Sequence, residues 1–374
     1  MLKRIWSLVV KEFIHLRSDW WLPVFMLVGG VMELFLVAWV TSCPITNLPV
    51  MIFDQNQSAA SRAVVSGLEN TKTFAQPERV YDMQAIRDAM DRGQVNAALV
   101  IPPDYAEQLQ SAMGSPTLLV ILNGAESTPA QAANRAIRGL VRDIDERILI
   151  QRLGLSHEIF SGFRPSLHVW FNENLSEALY TTPAELGLML EFTILLFAAL
   201  AFSRERELGT IEQLLVMPFS SLEIIIGKSI PVILVGFTDF LLMLGMVHFA
   251  FDVPVRGSLV LLLALAIGYL LVELCKGLVI SVFSKTQHQA FMLVLLVGIV
   301  DFMFTGFAAP VESMPQVLQW FATIIPAHHW MTILRGILLK GAGLDVLWPN
   351  VLALLIIGVV IGTFSFRFVR KALD

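Results

Sequence analysis

Long apolar runs broken by short polar stretches set the pattern of this chain. A helix that crosses a bilayer needs about 20 mostly apolar residues. Six stretches meet that length: 20–42, 182–203, 230–251, 257–283, 289–309 and 349–366. Residues 3–17 differ. Ile5, Leu8, Val9, Phe13 and Leu16 fall on one helical stripe, and Lys3, Arg4, Lys11, Glu12, His15 and Arg17 take the rest. That spacing predicts an interfacial helix within 1–19, lying on the cytoplasmic leaflet, with Trp20 and Trp21 at headgroup level.

Between the first and second runs the period changes. Stretches 48–53, 95–101 and 117–122 read as strands, and 58–70, 82–92 and 127–153 as helices. Ser58 is placed to cap a helix, Gly93 to stop one, Pro102-Pro103-Asp104 to open another, and Asn123-Gly124 to turn the chain. Strands alternating with helices predict a small α/β domain over 43–181. The region 310–348 is apolar enough to suggest a seventh span, but Pro326, His328 and His329 interrupt it. A seventh span would also move Arg367, Arg370 and Lys371 to the opposite side from the other basic clusters. The region therefore reads as an external pair of short helices dipping partly into the membrane, where irregular backbone must be covered by protein. The paired histidines, with no carboxylate pattern around them, read as hydrogen-bonding residues.

The expected architecture is an α-helical integral membrane protein with six transmembrane helices. An extracytoplasmic α/β domain is inserted between helices 1 and 2, and residues 182–374 carry the other five spans. Composition agrees with the class: 56% of the 374 residues are apolar and 15% charged, and the mean hydropathy is +0.69. The net charge of −5 matters less than where the cations lie. Lys3, Arg4, Lys11 and Arg17 precede the first run, Arg204, Arg206 and Lys228 follow the second, Lys285 follows the fourth, and Arg367, Arg370 and Lys371 follow the last. With six spans all four clusters share one side, which predicts cytoplasmic N- and C-termini. No basic stripe supports nucleic-acid binding. Val40-Thr41-Ser42-Cys43 has the look of a lipoprotein cleavage box, but the long charged lead-in and Glu33 favour an uncleaved anchor. The two cysteines, Cys43 and Cys275, sit at different predicted depths, so neither a disulfide nor a cysteine metal site follows.

Glu33, Glu191, Asp239, Glu273, Lys276 and Asp301 all fall inside predicted spans. A charge bare to lipid costs several kcal/mol, so each needs a partner or water. Glu273 and Lys276, three apart on one helix, are expected to pair with each other. The remaining acids have no cation in view. Glu191, Asp239 and Asp301 are therefore candidates for lining a substrate path, suited to a cationic amphiphile or to proton coupling. Hydrogen bonding between helices or between chains is the alternative. Gly227-Lys228-Ser229 ends like a phosphate-binding loop, but Leu222 stands where that loop needs its first glycine, and no buried strand precedes it. The chain is thus expected to carry no ATP site, no cofactor, no metal and no catalytic residue.

The segment 204–218, RERELGTIEQLLVMP, remains. Leu208, Ile211, Leu214 and Leu215 make an apolar face; Arg204, Glu205, Arg206, Glu207, Glu212 and Gln213 decorate the rest. Gly209 permits a bend or a close backbone approach, and Pro218 ends the helix. Spacing alone supports either a membrane-surface helix or a docking handle. The longer run RERELGTIEQLLVMPFSSLEIIIGKSIP closely resembles the ABC-2 type transporter permeases. So, in order along the chain, do Trp170-Phe-Asn172, Phe283-Ser-Lys-Thr-Gln-His-Gln-Ala290, the block from Gly306 to Pro310-Val-Glu-Ser-Met-Pro315, Pro326-x-x-His329 and Arg335-Gly-Ile-Leu-Leu-Lys-Gly341. The chain departs from the pattern at Glu173, where Pro is usual, and at Phe302-Met-Phe-Thr305, where small residues are usual.

The resemblance implies a bacterial inner-membrane exporter subunit paired with a second permease chain, identical or related. ABC ATPase subunits carrying ATP and Mg would dock from the cytoplasm, and in some members a periplasmic adaptor meets the external domain. It also implies that Arg204, Glu205, Arg206, Glu207, Gly209, Thr210, Glu212 and Gln213 act near the ATPase-coupling surface. A membrane sensor, with an external ligand domain signalling through 204–218, is the competing expectation.

Overall fold

The computed structural model describes residues 1–111, 114, 116–153, 170–172, 176–217, 219–307 and 309–373. They form two compact units, Met1–Ser42 with His168–Asp374, and Cys43–Leu167 between them. The first unit opens with α1 (Leu2–Ser18) and α2 (Trp21–Ser42).

The inserted unit runs β1 (Val50–Asp54), α3 (Ala59–Glu69), β2 (Glu78–Arg79), α4 (Met83–Asp91), β3 (Ala97–Ile101), α5 (Tyr105–Gln110), β4 (Leu119–Leu122) and α6 (Ser127–Leu153). Its four-stranded sheet has the order β2-β1-β3-β4, parallel except for β4. Every residue of β3 is buried because both faces are covered. Ala97, Leu99 and Ile101 face Val64, Leu68 and Ile137 of α3 and α6. Ala98 and Val100 face Ile86 and Ala89 of α4. The predicted Ser58 cap forms, its side chain accepting from the Ser61 amide, and Asp82, read as the first residue of a helix, instead caps α4 by accepting from the Gln84 amide. Gly93 stands at φ 67° after α4, the left-handed conformation that ends a helix.

The rest of the first unit comprises α7 (Glu177–Glu207), α8 (Ile211–Val216), α9 (Ser221–Phe251), α10 (Leu259–Phe283), α11 (Gln287–Phe304), α12 (Gln316–Ala322), α13 (Pro326–Arg335) and α14 (Leu344–Leu373). Among the described residues, six helices, α2, α7, α9, α10, α11 and α14, are long and apolar enough to cross a membrane. Burial ranks them: 78% of the apolar window of α7 is buried, against 11% for α14. So α7 is the hub on which α2, α9, α10 and α11 pack, while α14 lies against α10 and α13. Polar N-caps start three of them, a Ser220–Glu223 capping box on α9, Ser258 on α10 and Thr286 on α11. Between α11 and α14 lie α12, α13 and one π-helical turn, Gly336–Lys340. The helix α13 inserts Trp330, fully buried, which stacks on Tyr269 of α10 at 4.9 Å and lies 6.0 Å from Phe240 of α9. His329 of α13 is buried as well, its Nε2 donating to the Thr323 carbonyl at 2.9 Å and its Nδ1 lying 3.0 Å from the Asn350 side chain.

Candidate functional site

The segment 204–218 does not form one amphipathic helix, and this corrects the sequence expectation. Residues 204–207 are the last turn of α7, a break follows, and α8 starts anew at Ile211. The physical cause is Gly209, at φ 69°. Its amide donates to the Arg206 carbonyl at 3.1 Å, and the Thr210 amide donates to the Glu205 carbonyl at 2.9 Å. Those two bonds and a left-handed glycine make a Schellman motif, which closes a helix and turns the chain away from its axis. Pro218 and the side chains of Leu214 and Leu215 lie outside what is described.

The break divides the candidate coupling residues into two sets. Glu205 turns inward and is 4% exposed. Its Oε1 accepts from Lys11 Nζ of α1 at 2.8 Å and from Lys228 Nζ of α9 at 3.0 Å. Thr210 donates to its other oxygen. Lys228, 2% exposed, also donates to Glu12 of α1 at 2.8 Å. Gly227 lets α1 come this close, because a Cβ there would stand 2.6 Å from the Leu8 Cβ. Arg204 pairs with Asp19 just after α1. Arg206 Nη1 donates to the carbonyls of Ser281, Val282 and Ser284, at 3.0, 2.6 and 2.8 Å. These are carbonyls at the end of α10 that no helical amide reaches. Glu207 Oε2 accepts from the Gln287 amide at 2.8 Å, at the start of α11. All four charges are thus spent joining α7 to α1, α9, α10 and α11. The second set faces outward. Glu212 and Gln213 are exposed, as are Leu208, Val216 and Met217, at 60%, 86% and 46%.

A second polar constellation lies in the middle of the bundle. Lys276 Nζ of α10 meets Glu191 Oε1 of α7 at 2.9 Å, Glu273 Oε2 at 2.7 Å, and Asp301 of α11. The expected Glu273–Lys276 pair is present, but it is not private. Glu191 and Asp301, expected to lack a cation, share that one; this too corrects the sequence reading. The three carboxyls lie within 4.8 Å of one another, as a metal site would need, yet the ammonium already fills the space between them. Asp239 stands apart, fully buried and accepting from Thr193 at 2.7 Å.

Asn172, in the stretch ahead of α7, holds that helix's start: its side chain donates to the Ser176 carbonyl at 2.8 Å and accepts from the Ser176 amide at 2.9 Å. Glu173 lies outside the described residues. Arg335 sits 4.1 Å over the Tyr180 ring, and the Tyr180 hydroxyl donates to the Gly306 carbonyl at 2.8 Å, which ties α13 to α7 and to the turn after α11. Burial depresses the Arg335 guanidinium below its ordinary value.

Residues 20–367 match the family described as ABC-2 family transporter protein. The chain is similar to the Probable multidrug ABC transporter permease YbhR of Escherichia coli (strain K12), 26% identical over 371 residues and 99% of each chain. It is similar also to the Inner membrane transport permease YhhJ of the same organism, 26% identical over 376 residues, covering 100% of this chain and 98% of that one. The ABC transporter G family member 23 of Dictyostelium discoideum is 29% identical over 202 residues, 53% of this chain and 28% of that protein.

Proposed function

This chain belongs to the ABC-2 family of transporter proteins, and on that premise we propose that it is the permease subunit of an ATP-driven exporter in a bacterial inner membrane. ATP and Mg are handled by separate ABC ATPase subunits, which dock on the side that carries α1 and α8. Both termini lie on that cytoplasmic side. The inserted α/β unit lies on the opposite side, where an adaptor would meet it, and a second permease chain completes the path. The name of the Escherichia coli relative YbhR, a probable multidrug ABC transporter permease, favours a drug-like substrate.

One observation carries this reading. Around and after Gly209 the chain presents Leu208, Glu212, Gln213, Val216 and Met217 outward, while residues 204–207 are bolted to four other helices. An exposed apolar cluster with a polar rim marks a protein or membrane contact, and its rigid attachment to α7 suits it to pass a push into the bundle. The test is co-expression with an ABC ATPase from the same gene cluster, followed by purification and ATPase assay. The complex is expected to co-purify. Val216→Asp, buried in the docked state, is expected to weaken assembly by about 2 kcal/mol, roughly 30-fold. If Val216→Asp assembles and hydrolyses ATP like the wild type, α8 is not the docking surface.

A further inference from the structure

The inserted α/β unit contains a crevice that neither its packing nor the transport reading uses. It has a volume of about 310 Å³ and opens at the carboxyl ends of the adjacent parallel strands β1 and β2. Carboxyl ends are where open α/β sheets hold ligands, because the chain leaves the sheet there in loops. The volume suits a small organic molecule. The floor is Ile52 and Val65, and the rim is Asp54, Gln57, Arg62, Arg79 and Tyr81.

The charges on that rim do not cancel in pairs. Asp54 is committed inward: Oδ1 accepts from the amides of Asn56 and Gln57 at 3.0 and 2.9 Å, and Oδ2 accepts from the Ser61 hydroxyl at 2.7 Å. Among the described residues, neither Arg62 nor Arg79 makes a salt bridge. Arg62 lies in the N-terminal part of α3, the helix end where the macrodipole disfavours a cation. It is held over the crevice by one bond, Nη1 to the Gln57 carbonyl at 3.1 Å. Gln57 itself sits at φ 53°, a left-handed conformation that a residue with a Cβ adopts at a cost. Arg79 ends β2, beside Ile52 in the register. Tyr81, two residues on, is 80% exposed.

We propose that this crevice is a binding site for a small organic anion, a carboxylate or phosphate monoester held between Arg62 and Arg79 with its body against the Tyr81 ring. Guanidinium groups match such oxyanions through paired N–H donors, and an aromatic face supplies apolar contact without a competing charge. The site goes beyond the transport reading and does not depend on it.

The test uses the full chain in detergent and isothermal titration calorimetry with three probes: benzoate, phenyl phosphate and inorganic phosphate. Saturable binding of benzoate or phenyl phosphate is expected, weaker at high salt, and whichever binds tighter identifies the anionic group. Arg62→Gln and Arg79→Gln, both at exposed positions and so compatible with folding, are each expected to weaken it roughly tenfold, the loss of one charge-assisted bond. Tyr81→Ala is expected to weaken phenyl phosphate and leave inorganic phosphate unchanged. No saturable binding of either aromatic probe, or equal binding by the Arg62→Gln/Arg79→Gln double variant, would overturn the proposal. So would inorganic phosphate matching phenyl phosphate in both the wild type and Tyr81→Ala.

Discussion

Glu205 and Glu212 carry the same charge on neighbouring turns, yet the fold gives them opposite tasks. Glu205 is the shared acceptor of two lysines from two other helices, and one of them, Lys228, is almost wholly buried. Removing one partner of a buried ionic group leaves the others uncompensated, at about 3–5 kcal/mol. Glu205→Gln is therefore expected to lower the melting temperature of the purified protein markedly, whereas Glu212→Gln melts like the wild type and loses only ATPase assembly. A double variant would confound the two effects, so the single variants are the informative ones. Lys276→Met follows the same logic, since it strips the one ammonium from three carboxyls. It is expected to destabilise more than Asp301→Asn, by the same melting assay. Apart from Glu273–Lys276, these pairings were not legible in the sequence. Lys11 lies 194 residues from Glu205, and Glu191 lies 85 from Lys276. A helical wheel reports only neighbours on its own helix, so it found Glu273–Lys276 and left the other acids without a cation.

At the scale of elements, local signals were read well wherever the physics is local. Ser58 and Gly93 cap and stop helices of the inserted unit through contacts within a few residues. Gly209 was read as a bend, but its full consequence needed the two backbone bonds that end α7. A Cβ at that left-handed position costs about 1–2 kcal/mol. Gly209→Val is thus expected to cost little in melting temperature but to redirect α8, seen as lost co-purification of the ATPase together with faster amide exchange at residues 208–212. The helix α13 offers a pH test. Burial, with the neighbouring His329, depresses the His328 imidazole below its ordinary value. The unfolded chain then binds the proton more readily than the folded one. The stability from the buried neutral ring is full above the ordinary histidine range and is lost as pH falls through it towards the depressed value. Melting temperature is expected to drop on that acid side in the wild type, and less in His328→Gln.

For the molecule as a whole, the six spans were legible because each is apolar over enough length, and the inserted α/β unit because its period changes. The packing order of the spans was not legible. A helix facing lipid and one facing other helices are equally apolar, so nothing in the sequence marks α7 as the hub and α14 as the rim. The sidedness proposed for the chain rests on its cation distribution, and Cys43 supplies a direct probe of it. Cys43 is exposed at the end of α2, and Cys275, the other cysteine, lies within α10 and can be replaced by alanine. In that background a membrane-impermeant maleimide added to intact spheroplasts is expected to label Cys43 at once. In a Cys43→Ala/Cys275→Ala background, a cysteine introduced at Lys371, near the end of α14, is expected to react only after the membrane is opened. Six spans put these two positions on opposite sides, because α7, α9, α10, α11 and α14 cross an odd number of times between them. Labelling of both positions from the same side would require a different number of crossings, and the first place to look for it is the stretch from α12 through α13.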